Sequence, residues 1–454
     1  MHVKKVIKSY LAAAVLPLEA SVVVIRRSIG KRNFHGFPFA KLIAALVIVA
    51  NFVAIPVSFA ADIDQEHWIG TWSAGPTALG GATQYEDQTL RLIVHTSVGG
   101  SQVRVRISNT FGSESLTIGA ARVALRDRGA RIVPNTDRAL SFSGRSSIDV
   151  PAGALVISDP VHLQVPALSD LAVSIYLPRP STANTTHVVA QQTNYIAGIA
   201  GDVTSAPDLP GTVITSQWDF LTGVDVTDAR RGSAIVVFGD SITDGVGSTP
   251  DTNRRWTDFL EMRLARSGFD HLAVLNEGLT GNRILHPAPA GIDFFGLAAL
   301  ARFDRDVLGQ AGLKYLLVLL GTNDIAQPGI VAPDSEEVSS DDLIAGYLQL
   351  ITRAHERGIM VYGCTLLPFE NSAIAPGFYS PEKEVKREAV NAWIRTSGAY
   401  DGVMDFDKAL RDPAHPLRIL PVYDSGDHTH PNDEGYRAMA NSIDLSLFRG
   451  EESW

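Results

Sequence analysis

Four short strings in this chain hold residue types that could carry out acyl chemistry. Ser241 stands in Gly239-Asp240-Ser241-Ile242-Thr243-Asp244-Gly245, directly after the apolar run Ala234 to Phe238. A serine at a strand-to-helix turn presents its hydroxyl to a cleft and its backbone N–H to a developing oxyanion. The same residues would serve an ordinary turn capped by Ser241 or Asp244. The string is also not a G-x-S-x-G elbow, because Thr243 fills the second glycine position. In Asn276-Glu277-Gly278-Leu279-Thr280-Gly281-Asn282, a glycine would let backbone approach a ligand and expose its N–H. In Gly321-Thr322-Asn323-Asp324, the side-chain amide could donate to an oxyanion or form an Asx turn. The fourth string runs from Asp427 to Tyr436, and in it Asp427 and His430 stand three apart at the threshold of the last helix. That spacing brings carboxylate and imidazole together around one turn, so the acid could hold the ring in one tautomer while its other nitrogen faces a nucleophile. A metal site from Asp427, His428 and His430 is the rival reading, but no further His or acid pair at ligand spacing accompanies them, and metal sites normally need three or four ligands. His428 reads as a solvent or substrate contact. Asp240 and Asp324 read as braces for their loops through backbone hydrogen bonds.

Each string ends or follows a predicted strand. SAIVVFGDS (233–241), HLAVLNEG (271–278), KYLLVLLGTND (314–324) and IMVYGCTLLP (359–368) are nearly continuous apolar runs, as expected of strands buried on both faces of a parallel sheet. Amphipathic stretches at 256–267, 297–310, 341–357 and 382–397 separate them, which predicts a three-layer α/β domain with its active residues at the carboxyl ends of the strands. From Trp68 to Val226 the grammar differs. TLRLIVHTSV (89–98), QVRVRISNT (102–110) and DLAVSIYLP (170–178) alternate, with Val103, Val105 and Ile107 on one face and Arg104, Arg106 and Ser108 on the other. Turn clusters such as GGS and GSES separate these runs, so an all-β sandwich of jelly-roll type is expected. The boundaries predicted are 61–226 for the β domain, 227–232 for a linker and 233–454 for the α/β domain. His95, His162 and His187 fall in the β domain, where packed or surface roles are the default.

The chain has 454 residues, 45% hydrophobic and 19% charged, which suits a globular protein of two domains. A formal charge of -10 argues against nucleic acid as a partner. Residues 1–60 hold eight Lys or Arg against the single acid Glu19, followed by the apolar run Leu42 to Ile55, Pro56 and the small residues Ser58 and Ala60. This is the pattern of an export signal cleaved near Ala60 or Ala61, with an uncleaved membrane anchor as the alternative. Without it, 31 Lys and Arg face 48 Asp and Glu, a net charge near -17, and a periplasmic or extracellular location is expected. Cys364 is the one cysteine, so no intrachain disulfide can form, and its apolar surroundings predict a buried strand residue.

In their order, these four strings and the H-P-N-x-x-G-Y continuation at His430 to Tyr436 resemble the SGNH (GDSL) hydrolase family. The resemblance covers the C-terminal 220 or so residues, with Ile242 standing where the family usually has leucine. It implies a nucleophile at Ser241, an acid–base pair at Asp427 and His430, and oxyanion donors at Ser241, Gly281 and Asn323. It also implies a flavodoxin-like sheet, an acyl-enzyme, and no metal or organic cofactor. The region containing Gly70-Thr71-Trp72, Ser108-Asn109-Thr110-Phe111-Gly112 and Gln192-Thr193-Asn194-Tyr195 resembles the β domain attached to some exported bacterial esterases of this group. A short-chain, acetyl-type ester on an extracellular glycan is the expected substrate, with Trp68, Trp72 and Trp218 either stacking on sugar or, by their general burial, lying in the core. A lipid ester, an acyltransferase that excludes water, and a binding protein that keeps the α/β shell as scaffold are the alternatives. Oligomeric state is not legible in the sequence.

Overall fold

The computed structural model describes residues 67–80, 82–227 and 232–449. The segment predicted as an export signal or anchor, and most of the predicted linker, lie outside the described residues. The described residues all fall in one compact unit. Among the described residues no helix is long and apolar enough to cross a membrane.

The apolar runs of the second half form five parallel strands in the order 272–278, 233–239, 313–319, 360–364, 402–404. Side chains on both faces of the three central strands are buried, as the unbroken Val, Ile and Leu content requires. Chain order reverses between the first strand (Ser233–Gly239) and the third (Leu313–Leu319). A crevice opens at such a switch point beyond the carboxyl ends, and Ser241 and Asn323 stand just past those two ends. The helices Trp256–Arg266, Ser340–His355, Pro381–Thr396 and Asp433–Ser442 flank the sheet. The amphipathic stretch 297–310 is not one helix. It breaks into Ala299–Phe303 and a π-helical turn, Asp304–Leu308; across the junction the buried Arg302 and Asp306 pair at 3.1 Å.

The first half is β-rich, with two larger antiparallel sheets. One runs 68–73, 221–227, 100–108, 155–157; the other runs 213–215, 194–196, 88–96, 169–177, 120–128, 131–132. Val103, Val105 and Ile107 are fully buried, as their alternation predicts. Arg106 and Ser108, on the opposite face, are buried too. That face is covered by the α/β region: Arg106 pairs with the buried Asp225 and donates to the Gly309 carbonyl at 2.8 Å. The first β-rich strand lies along the edge strand Leu272–Gly278, so close that a Cβ on Gly70 would meet the Leu275 side chain at 2.7 Å. The Val274 N–H donates to Ser97 Oγ across the boundary (2.8 Å), and the Gly70 N–H to the Ala311 carbonyl (3.0 Å). The two regions thus share hydrogen bonds and core.

Candidate active site

Ser241 opens a four-residue helix, Ser241–Asp244, capped by Asp240, whose side chain accepts from the Ile242 N–H at 3.0 Å. The turn is tight: a Cβ on Gly239 would meet Thr243 Oγ1 at 2.1 Å. The Ser241 hydroxyl lies 2.8 Å from His430 Nε2, and His430 Nδ1 lies 2.6 Å from Asp427 Oδ2. A carboxylate only accepts, so Nδ1 carries the proton and donates to Asp427, leaving the Nε2 lone pair to receive the serine O–H. Asp427 Oδ1 also takes the backbone N–H groups of Thr429 (2.9 Å) and His430 (2.8 Å). Partial burial alone would raise the Asp427 carboxyl, but the bonds and charge from His430 and the two backbone donors outweigh it and hold it well below the usual carboxylate range. It therefore stays anionic, as an orienting group beside an imidazole must.

Gly281 and Asn323 both line the cleft with Ser241 and His430. Gly281 has φ of 75°, and a Cβ there would sit 2.2 Å from the Phe295 ring, so both backbone conformation and space demand glycine. Its carbonyl accepts from Gln327 Nε2 at 2.8 Å, which fixes the orientation of the loop peptides. Asn323 Nδ2 gives one hydrogen to the Asn282 carbonyl at 3.2 Å, and the amide has a second N–H to offer. Asp324 takes the N–H groups of Ile284 and Leu285. Both braces are fully buried carboxyls, and burial raises Asp240 to about 7 and Asp324 to about 6.

The candidate residues drawn from all four strings thus surround one cleft of about 250 Å³. Its walls are apolar: Ile242, Val246, Phe295, Val331, Ile374 and Phe378. The rival metal trio does not converge, because the exposed His428 turns to Asp424 rather than to Asp427. Cys364 is buried in its strand, and burial pushes its thiol well up. Trp72 and Trp218 are not sugar platforms: they pack edge to face at 4.9 Å in the core, with the Trp218 indole N–H donating to the Ile93 carbonyl. Trp68, half-buried, lies under the Arg104 guanidinium.

Sequence reading missed Arg302 and Gln327. Fully buried, Arg302 donates to the Gly239 and Glu277 carbonyls and to Asn282 Oδ1, each at 3.0 Å, so one guanidinium ties the nucleophile strand to the glycine loop. Only its place in an amphipathic stretch was legible, and that signal cannot distinguish a buried arginine from a surface one.

Residues 237–438 match the family model of the GDSL-like lipase/acylhydrolase family. No curated protein matches the chain. Among solved structures it is similar to a GDSL-like lipase from Bacteroides thetaiotaomicron (18% identity, 49% of this chain, 91% of that one, TM-score 0.35). It is also similar to an acetyl xylan esterase from Geobacillus stearothermophilus (19%, 48% and 96%, TM-score 0.36). A third is an alpha/beta hydrolase enzyme from the metagenome of Lake Arreo, Spain (20%, 48% and 94%, TM-score 0.35).

Proposed function

We propose that this chain, which carries a GDSL-like lipase/acylhydrolase domain over residues 237–438, hydrolyses carboxylic esters through an acyl-enzyme on Ser241. The observation that carries the reading is the unbroken line from Asp427 through His430 to the Ser241 hydroxyl, at 2.6 and 2.8 Å. His430 takes the serine proton as the hydroxyl oxygen attacks the ester carbonyl, and Asp427 stabilises the imidazolium. The backbone N–H groups of Ser241 and Gly281 and the Asn323 amide receive the negative charge of the tetrahedral intermediate. Its collapse expels the alcohol, protonated by His430. Water, deprotonated by the same imidazole, then releases the acid. The chemistry asks for no metal or organic group.

Two readings of the acyl part are distinguished by the cleft. The first is a short-chain ester, acetate or butyrate, on an extracellular glycan. The acetyl xylan esterase likeness gives this a precedent only in the other protein. The second is favoured by the walls Phe295, Val331, Ile374 and Phe378, which would bury several methylenes of a longer chain. Each buried methylene contributes about 0.8 kcal/mol, or roughly fourfold in kcat/KM. A series of p-nitrophenyl esters from acetate to dodecanoate, with Ser241→Ala as control, tests both. A rise of that size per methylene beyond butyrate supports the second reading, and an optimum at acetate the first. No hydrolysis of any ester by the wild type would favour transfer or binding instead.

By the same reading residues 1–60 direct export, 61–226 form a sandwich, 227–232 are a linker, and 233–454 form a three-layer, flavodoxin-like domain. The strand order of the parallel sheet supports the last assignment.

A further inference from the structure

We propose that His187, a side chain of the β-rich region, is a positioning residue for the oxyanion loop, acting through Asp244 on Thr280 and Gly281. The proposal rests on the ester-hydrolase reading above. His187 Nδ1 is 3.0 Å from the Gly75 carbonyl, and Nε2 is 3.0 Å from Asp244 Oδ1. The Gly75 carbonyl can only accept, so Nδ1 carries a hydrogen; burial alone would lower the ring's affinity for a second proton, but the nearby Asp244 outweighs it and raises that affinity. The other carboxylate oxygen, Asp244 Oδ2, receives the Thr280 N–H at 2.8 Å and the Thr280 hydroxyl at 2.6 Å. Thr280 is the chain neighbour of Gly281, whose N–H is assigned to the oxyanion.

Asp244 closes the helix that Ser241 opens. One carboxylate thus joins three pieces: the nucleophile turn, the oxyanion loop and the β-rich region. Both side chains are buried, at 5% and 4% exposure, so removing one leaves the other without its charged partner away from bulk solvent. The His187 ring is held against Trp218 at 5.4 Å, and the Arg255 Nε–H donates to the Asp244 backbone carbonyl. His95, Asp258 and Glu261 line the same interregional cavity. The peptide that carries the Gly281 N–H is then flanked by two fixed ones, the Thr280 N–H on Asp244 before it and the Gly281 carbonyl on Gln327 after it. A displacement of about 1 Å in such a group costs on the order of 100-fold in rate.

The test compares wild type, His187→Gln, His187→Ala and Thr280→Val. Active sites are counted by end-point titration with a p-nitrophenyl phosphonate, kcat and KM are measured with p-nitrophenyl butyrate, and butylboronic acid serves as the tetrahedral mimic. In both His187 variants kcat per titrated site is expected to fall roughly 10- to 100-fold. KM should stay within about threefold, and boronate affinity should weaken in proportion to kcat. Thr280→Val should move the same way by less. Unchanged kcat per titrated site and boronate affinity in His187→Gln would overturn the proposal. So would a loss confined to the titratable fraction, since that marks a merely structural role. A wild type inactive toward every ester, or activity retained in Ser241→Ala, would overturn the underlying reading and this proposal with it.

Discussion

At the scale of single residues the site is an arrangement of donors around one hydroxyl, and each donor has its own consequence. Asn323→Ala removes the side-chain N–H to which the proposed mechanism gives the oxyanion. Loss of one such donor costs about 100- to 1000-fold in kcat, roughly 3–4 kcal/mol, while KM should change little; steady-state kinetics decides it. Asp240 makes a different prediction. Burial raises its carboxyl to about 7, far above an unfolded aspartate, so the native state holds a proton that the unfolded state releases near pH 4. The stability this gives is complete below that pH and is lost as pH rises through about 7. Asp240→Asn keeps an oxygen for the Ile242 N–H without the charge. Its melting temperature relative to wild type is therefore expected to increase from pH 4 to pH 8, and an unchanging difference would contradict the assignment. Part of this scale was legible: Ser241 and Asn323 stand out by type and by place after apolar runs, Asp427 and His430 by type and their spacing of three. His187 was not, because its partner Asp244 lies 57 positions away in another region and nothing in the local pattern marks a buried histidine as paired.

At the scale of elements, Arg302 does what no strand or loop can do alone. It ends three hydrogen bonds on two strand ends and a loop, and with Arg305 it shares the buried Asp306. Removing one member of a buried charged pair costs about 3–5 kcal/mol. Arg302→Met is therefore expected to lower the urea midpoint by a corresponding amount, and a shift worth less than about 1 kcal/mol would show that the tie is dispensable. The parallel strands were readable because burial on both faces leaves an unbroken apolar run: SAIVVFG coincides with the first strand, and the stretches 341–357 and 382–397 lie within one or two residues of observed helices. The break at Asp304 was not readable, since an amphipathic period survives a local change of pitch. Nor was the short fifth strand, Gly402–Met404. The cleft walls escaped for a related reason: Val331, Ile374 and Phe378 come from irregular segments, where period carries no information.

At the scale of the whole molecule, the β-rich region is part of the catalytic body. Gly70 against Leu275, Ser97 under the Val274 N–H and Arg106 on Gly309 put a shared core and shared polar bonds between the two regions. Two regions so joined should unfold together. Scanning calorimetry is expected to give one cooperative transition, and two separated peaks would show independent domains. The central claim, that an ester is cleaved through a covalent acyl group on the serine after the first buried strand, is tested most directly by mass spectrometry of the protein quenched during turnover of p-nitrophenyl butyrate. A butyryl adduct on the peptide containing Ser241, absent from Ser241→Ala, is the expected result. Hydrolysis that continues in Ser241→Ala, or an acyl group found on another side chain, would contradict it.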